Sequence, residues 1–517
     1  MQPSVSPDNF GATLPPNIAP LNFCIQRGDA TEAVTRLHSR RGGEIVVEGW
    51  DVCFDEDQWH ALLQASCGDT LFCDIYQQAN GQWVHLPTQY FLVAEEPIDP
   101  YITYRLIRPS YVTYEELTIH QRCLENFDER VIYENMRFED SEQGQCINCH
   151  APKNWNRDGQ SQFHVRQTMG GTIFIRGDQV SKVNLRTDST LSAGVYPAWH
   201  PTLDLVAYSD NETGQVFHTL DPQKVEVIDY ASDLILYDVT TNTVQHIDHT
   251  NSEFESFPCW SPDGRRLYYI SAHYTRRADD IDADLDSHYD QLHYNVYARD
   301  FDLETYRFGP RRLIFDAEAL GKSASVPRVS PDGKYLLFTL ADYGQFHIWH
   351  KSADLWFMSL DTGELGLLSA TPKDTSGTTP NVLLQARPLQ AANSDEAESY
   401  HAWSSSGRWI LFSSRRDDGN YTRLYFCYFD AAGRAHRPFC LPQRRADADE
   451  RLLRSYNAAE FLLQPVRPTA RQLRKVISKE AANACYKGSA LQFPEPDSLL
   501  VGRYGAPAVQ RREAVGY

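Results

Sequence analysis

The chain contains no run of about 18 or more apolar residues, so no segment is long enough to cross a bilayer as a helix. It has no surplus of positive charge either: 49 Lys and Arg stand against 69 Asp and Glu, a formal charge of −20. That excludes a nucleic-acid partner, which needs a basic face to meet phosphates. A Gly-x-Ser-x-Gly elbow is missing, which removes the propeller-plus-hydrolase peptidase reading, and so are the Walker and dinucleotide glycine motifs. The opening Met1-Gln-Pro-Ser-Val-Ser-Pro lacks an apolar core and is not a secretory signal peptide.

What is present is the profile of a folded chain. Hydrophobic residues make up 42% and charged residues 23%, which excludes disorder as the main state. At 517 residues one ordinary core is not enough, and two to four domains are expected. Twenty-eight Tyr, 24 Phe and 10 Trp, with 29 Gly and 28 Pro, point to many short strands joined by turns.

Residues 1–20 read as an extended entry segment. From 21 to 107, short β-type runs such as Glu44-Ile-Val-Val-Glu and Thr70-Leu-Phe-Cys-Asp-Ile-Tyr predict a β-sandwich module, with a hairpin at Asn80-Gly81. Between 111 and 137, Leu117, Cys123, Leu124, Phe127, Val131 and Ile132 recur near a 3.6 period. This predicts a helical segment over 108–160.

The middle of the chain repeats. Segments beginning at Pro197, Pro258, Pro327 and His401 align without gaps, each with an apolar strand end, a turn of the Ser-Pro-Asp-Gly type and a second strand. Repeated four-stranded units predict a β-propeller over 161–445, six blades being favoured and seven the alternative. Trp199, Trp260 and Trp403 hold one place in three repeats and are expected to pack equivalently. After Leu441 the strands stop, and 446–517 read as a helical C-terminal extension and tail.

One motif carries chemistry. Cys146-Ile-Asn-Cys149-His150 has the spacing of a c-type haem site, in which two thiols add to the haem vinyl groups and the adjoining imidazole reaches the iron. Cys146 and Cys149 are then the covalent attachment points and His150 the proximal ligand. His164 is the candidate distal ligand, Met169 its alternative, and Arg166 the candidate partner of a propionate. The competing chemistry is zinc on Cys146, Cys149, His150 and a fourth ligand. The other nine cysteines are an odd number, so they cannot all pair within the chain and read mainly as small buried hydrophobes; Cys67 and Cys73 are close enough in sequence to bridge a turn. His200, His218, His347, His350 and His401 lie near strand ends in the repeats, where a polar ring around a central channel would bind a small ligand.

The Ser-Pro-Asp-Gly repeats at 261–264 and 330–333 resemble those of TolB-type propellers. With Pro15–Phe23, Ala94–Ile107, Leu124–Phe127, Cys146–His150, Phe163-His164, Gly170–Thr172 and Ser192–Pro197, the chain resembles the TolB-like, cytochrome-c-motif proteins of Bacteroidetes envelopes over about residues 12–460. The resemblance implies export through the inner membrane, often as a lipoprotein, with no defined substrate. Together these readings predict a mainly β, periplasmic or cell-envelope protein carrying one covalent haem. Its role would be electron transfer to an envelope partner or redox sensing, and its export signal would precede Met1. The alternatives are an envelope binding or scaffold propeller with a structural haem or zinc, and a haem-dependent oxidoreductase with an open iron position.

Overall fold

Apolar residues alternate with polar ones along most of the chain after Tyr101, and in the computed structural model these runs are strands. The structure describes residues 3–108, 116–135, 145–218, 223–250, 252–275, 277, 281–360 and 386–488. Antiparallel sheets of four strands follow one another. Blade 1 holds Tyr101–Ile107, Thr118–Cys123 and Glu129–Glu134; blade 2 holds Gln145–Pro152, Gln160–Gln167, Gly171–Arg176 and Gln179–Asn184. Blade 3 holds Val195–Trp199, Leu205–Phe217, Val225–Asp238 and Thr243–Asp248; blade 4 holds Glu253–Trp260, Arg266–His273, Asn295–Asp300 and Arg312–Phe315. Blade 5 holds Ser323–Val329, Tyr335–Ala341, Asp354–Ser359 and Ala386–Pro388; blade 6 holds Glu398–Trp403, Trp409–Ser414, Arg423–Tyr428 and Phe439–Cys440.

The fourth strand of blade 1 comes from far along the chain. Ser455–Leu462 pairs antiparallel with Tyr101–Ile107 as that blade's innermost strand. The first strand of each other blade is its innermost, and each innermost strand lies against that of the next blade. Ser455–Leu462 lies against both Glu398–Trp403 and Gln145–Pro152, so the series returns on itself in a β-propeller-like ring.

Among the described residues, the six innermost strands share one irregularity. Cys149, Tyr196, Phe257, Val326, Tyr400 and Ala458 have φ between 48° and 52°, and at each the register with the second strand shifts. A non-glycine residue there is strained, and six at equivalent places mark a β-bulge that every blade needs to bend its innermost strand. The next residue is Pro197, Pro258 or Pro327 in three blades, which suits a site where the ladder is already broken. It is His150, His401 or Ala459 in the others.

The three repeat tryptophans are equivalent, as expected. Trp199, Trp260 and Trp403 are buried, and their indole N–H groups donate to the carbonyls of Ala151, Ala198 and Arg328 at 3.2, 3.1 and 3.2 Å. Each acceptor lies two residues after the bulge of the preceding blade. In the turns, Gly264, Gly333 and Gly407 have φ of 69°, 75° and 67°, the conformation the Asp-Gly repeats require.

The N-terminal region is a sheet of Thr13–Leu14, Gln89–Val93, Thr70–Ala79, Glu32–Ser39 and Glu44–Glu48, with Gln82–His85 added through the Asn80-Gly81 hairpin. A three-stranded sheet of Val5–Ser6, Phe23–Ile25 and Asp51–Val52 lies beside it. The helix Glu56–Ala65, which the sequence reading did not anticipate, buries Trp59. This region docks on blade 6: Asp99 accepts from the N–H and hydroxyl of Ser405, and Trp409 and Phe426 join its apolar core.

Two expected helical regions are strands. Thr118–Cys123 and Glu129–Glu134 pair in blade 1, because two strands around a turn at 124–128 bring their buried residues to a spacing that mimics a helix. Of 447–463, a four-residue helix, Ala448–Arg451, precedes the strand Ser455–Leu462. The helix Ala470–Ile477 is present with its Thr469–Gln472 capping box, followed by Ala482–Asn483 and Cys485–Tyr486 pairing on the outer edges of blades 2 and 3. The expected tail from 489 lies outside the described residues.

Candidate functional site: the Cys146–His150 strand and the channel end

Cys146–His150 lies on the innermost strand of blade 2, not on a helix. Cys146 stands opposite Arg166, and Asn148 opposite His164, on the second strand. Directly opposed residues share a face, so these four side chains lie together. Asn148 Nδ2 donates to Cys146 Sγ at 3.6 Å, and His164 Nδ1 meets Thr172 Oγ1 at 3.1 Å. That face packs on blade 3, where Tyr208 donates to Gln162 and Trp199 meets Phe174 edge-on. Ile147, Phe163 and Val165 occupy the opposite face, in an apolar cluster with Ile119 and Ile132 of blade 1.

The bulge at Cys149 decides where His150 goes. Its ring joins the Ile147 face and lines a cavity with Thr103, Ile119, Ile132, Phe163 and Leu462. Neither ring nitrogen makes a hydrogen bond of good geometry, the Thr103 and Ala458 carbonyls being the ring's nearest polar groups. Burial, and then the positive charge of Arg105, push its pKa down to about 3. Burial, and then Arg166, do the same to His164. Burial pushes the Cys146 thiol up, against the pull of Arg166 and Arg105. Met169 is 40% exposed in the turn after the second strand.

A haem c needs both thioether carbons and the proximal imidazole on one macrocycle. Here Cys146 and His150 lie on opposite faces of one sheet, and the space beside His150 is about 20 Å³ accessible to the centre of a water molecule, room for about one water. The five residues in this arrangement do not fit a haem. The zinc alternative fares no better: among the described residues, Cys146, Cys149 and His150 form no group of three ligand atoms within 4.8 Å of one another. All eleven cysteines are free thiols, Cys67 and Cys73 included.

The expected histidine ring is not formed. His200 is buried at the turn end of blade 3, with Nδ1 accepting from Leu203 N at 2.9 Å and Nε2 on the carbonyl of Gly264 at 3.0 Å. His401 follows the bulge of blade 6 and sits on the carbonyl of Leu337. His347 and His350 gather instead at the opposite, channel end, under the long hairpin of blade 3. There His350 pairs with Glu226 at 3.3 Å, and Glu226 accepts from Tyr343 at 2.8 Å. His218 lies near the same hairpin, its ring 6.4 Å from that of Tyr289. Asp229 accepts from Asn211 at 3.0 Å and Tyr294 at 2.8 Å, and burial still raises its pKa to about 6. Glu226, Asp229, Tyr294 and Tyr343 escaped the sequence reading because the hairpin and two other blades assemble them across more than a hundred residues. The one signal was the length of the two hairpin strands, 13 and 14 residues, well beyond a blade's width.

No family model matches the chain, and no curated protein matches it. Among solved structures, an oligogalacturonate lyase from Vibrio parahaemolyticus is 12% identical, over 84% of this chain and 99% of its own, with a TM-score of 0.30. A putative 6-phosphogluconolactonase from Bacteroides fragilis is 10% identical over 67% of this chain and 97% of its own, with a TM-score of 0.31. At these values the likeness says nothing about substrate or chemistry. Among the described residues no helix is long and apolar enough to cross a membrane.

Proposed function

We propose that the chain is a ligand- or partner-binding propeller of the cell envelope, in which the haem-type pentapeptide is a structural part of blade 2. The observation that carries this reading is the equivalence of Cys149-His150 with Tyr196-Pro197, Phe257-Pro258, Val326-Pro327, Tyr400-His401 and Ala458-Ala459 at the bulge of every innermost strand. A position that all six blades need for bending explains the backbone of Cys149 and the burial of His150 without a cofactor. The envelope location comes from the family resemblance. Binding is supported by the buried polar group at the channel end, where Glu226, Asp229 and His350 are enclosed together.

The test is a pyridine haemochrome spectrum and an intact mass on protein matured with the cytochrome c assembly machinery. The expected result is an unmodified mass, with Cys146→Ser/Cys149→Ser folding at close to the wild-type Tm. A covalent haem adduct lost in that double variant would overturn the proposal and return the haem readings, electron transfer or redox sensing first among them.

A further inference from the structure

Blade 3 carries a second cluster that no repeat motif announces. Asp233 lies on its third strand, His246 on its fourth strand and His249 just beyond. Their ligand atoms all fall within 4.8 Å of one another. His249 Nδ1 is 2.8 Å from Asp233 Oδ2, and the two imidazole centroids are 5.3 Å apart at 54°. The other nitrogen of His246, Nε2, is 2.6 Å from the carbonyl of Ser189. A backbone carbonyl on the far ring nitrogen is the arrangement that orients a metal-binding imidazole, since it fixes the tautomer and aims the near nitrogen. Asp233 is buried and both histidines are half-buried, with the Nδ1 atom of His246 itself enclosed and the Tyr486 ring 5.7 Å from the His246 ring.

A second observation also calls for positive charge here. Glu255, on the adjoining innermost strand of blade 4, is 0% exposed and neither carboxylate oxygen has a hydrogen-bond partner. Burial, and then the negative charges of Asp248, Asp233 and Glu253, raise its pKa well above the ordinary carboxylate range. Asp210, the residue directly opposite Asp233, is buried too and accepts from the Leu191 and Ser192 N–H groups and the Ser192 hydroxyl. The cations facing this group are committed elsewhere: Arg299 to Asp248, and Arg311 to Glu253 at 3.0 Å. Among the described residues, the two interior carboxyls Asp210 and Glu255, which flank the histidine–aspartate cluster, make no ion pair of their own. Burial disfavours the ionised forms of both, and a cation bound beside them would favour those forms.

We propose that Asp233, His246 and His249 bind a divalent transition-metal ion, with the Asp210 and Glu255 carboxyls behind it. Two imidazoles and one carboxylate are a borderline donor set suited to Zn²⁺, Mn²⁺ or Fe²⁺ rather than Ca²⁺. Three protein ligands leave coordination positions for water or for an oxygen-bearing ligand, so the site serves binding at the rim of blade 3. Binding displaces the proton that His249 shares with Asp233.

The test uses the full chain stripped of metal by chelator and titrated separately with Zn²⁺, Mn²⁺ and Co²⁺, followed by calorimetry and by the visible spectrum of Co²⁺. The expected result is one equivalent bound, with affinity falling on the order of 100-fold or more in His246→Gln and His249→Gln. Both histidines are half-buried, and the two variants should keep the wild-type Tm in chelator, which separates loss of metal from loss of fold. Asp233→Asn, a buried change, is read only beside them. No stoichiometric binding of any of the three ions overturns the proposal. So does binding that survives His246→Gln/His249→Gln, above all if it is lost in Cys146→Ser/Cys149→Ser, which would place the metal on the blade 2 strand.

Discussion

Removing the indole of Trp260 measures how blade 3 is held to blade 4. The side chain is 7% exposed and lies edge-on to Phe301 at 5.0 Å and to the His200 ring at 4.7 Å, with Phe308 at 6.0 Å. Its N–H donates across the blade boundary to Ala198 O at 3.1 Å. Trp260→Ala loses the transfer energy of the indole and leaves a cavity that rigid strands on both sides cannot close, a cost on the order of 3–5 kcal/mol. Trp260→Phe keeps most of the volume and loses mainly one buried hydrogen bond, a cost of about 1–2 kcal/mol. An unfolding entropy of about 2.1 cal/mol/K per residue gives roughly 1 kcal/mol/K for a chain of 517 residues. The alanine variant should therefore lower Tm by only about 4 °C, and the urea midpoint followed by circular dichroism is the more sensitive assay. The sharper expectation is equivalence. Trp199 and Trp403 make the same bond to the same position of the preceding blade, so their alanine variants should agree with Trp260→Ala to within about 1 kcal/mol. A cost below about 1 kcal/mol, or a Phe variant as destabilised as the Ala variant, would refute the packing argument.

Gly264→Ala should be far worse than Gly321→Ala. Both glycines have positive φ, but a Cβ at 264 would stand 2.3 Å from the His200 ring, whereas one at 321 meets open space; urea midpoints giving equal losses would show that His200 moves freely. The buried imidazoles should each make stability depend on pH. His150, His164, His347 and His401 are each held to a pKa of about 3 by burial, so between the ordinary value of 6.5 and 3 the unfolded chain binds more protons. Their contribution is complete above pH 6.5 and is lost as pH falls towards 3, while Asp210, raised to about 7, and Asp229 and Asp449, each raised to about 6, work in the opposite sense. Measured against the wild type, His401→Gln should therefore gain in urea midpoint as pH falls from 7.5 to 4.5, because it lacks one of these imidazoles; a pH dependence identical to that of the wild type would contradict the assignment.

The propeller-like fold was legible in the residues wherever a blade kept its Ser-Pro-Asp-Gly turn. Asp-Gly fixes a backbone conformation locally, and the tryptophan ahead of it marks the blade boundary. The innermost strand of blade 2, Gln145–Pro152, was hidden because His150-Ala-Pro-Lys replaces the turn signature that His401-Ala-Trp-Ser partly retains in blade 6. Blade 1 was hidden because its innermost strand, Ser455–Leu462, arrives some 350 residues after its partner (455 − 107 = 348), and no local pattern records a pairing of that span.

The cysteine–histidine spacing was equally plain, and it pointed to a haem because spacing alone does not say which face a side chain takes. That depended on one bulge: a positive φ at Cys149 turns His150 towards blade 1 and leaves Cys146 with His164 and Arg166 towards blade 3. The Asp233, His246 and His249 cluster shows the same division of labour. Thirteen and three residues separate its members (246 − 233 and 249 − 246), an interval without periodic meaning in either helix or strand. Residue types and local turns were set by the sequence one segment at a time. The direction each reactive side chain faces was decided only by register and bulge, since one residue of slip moves a strand's side chains to the other side of its sheet.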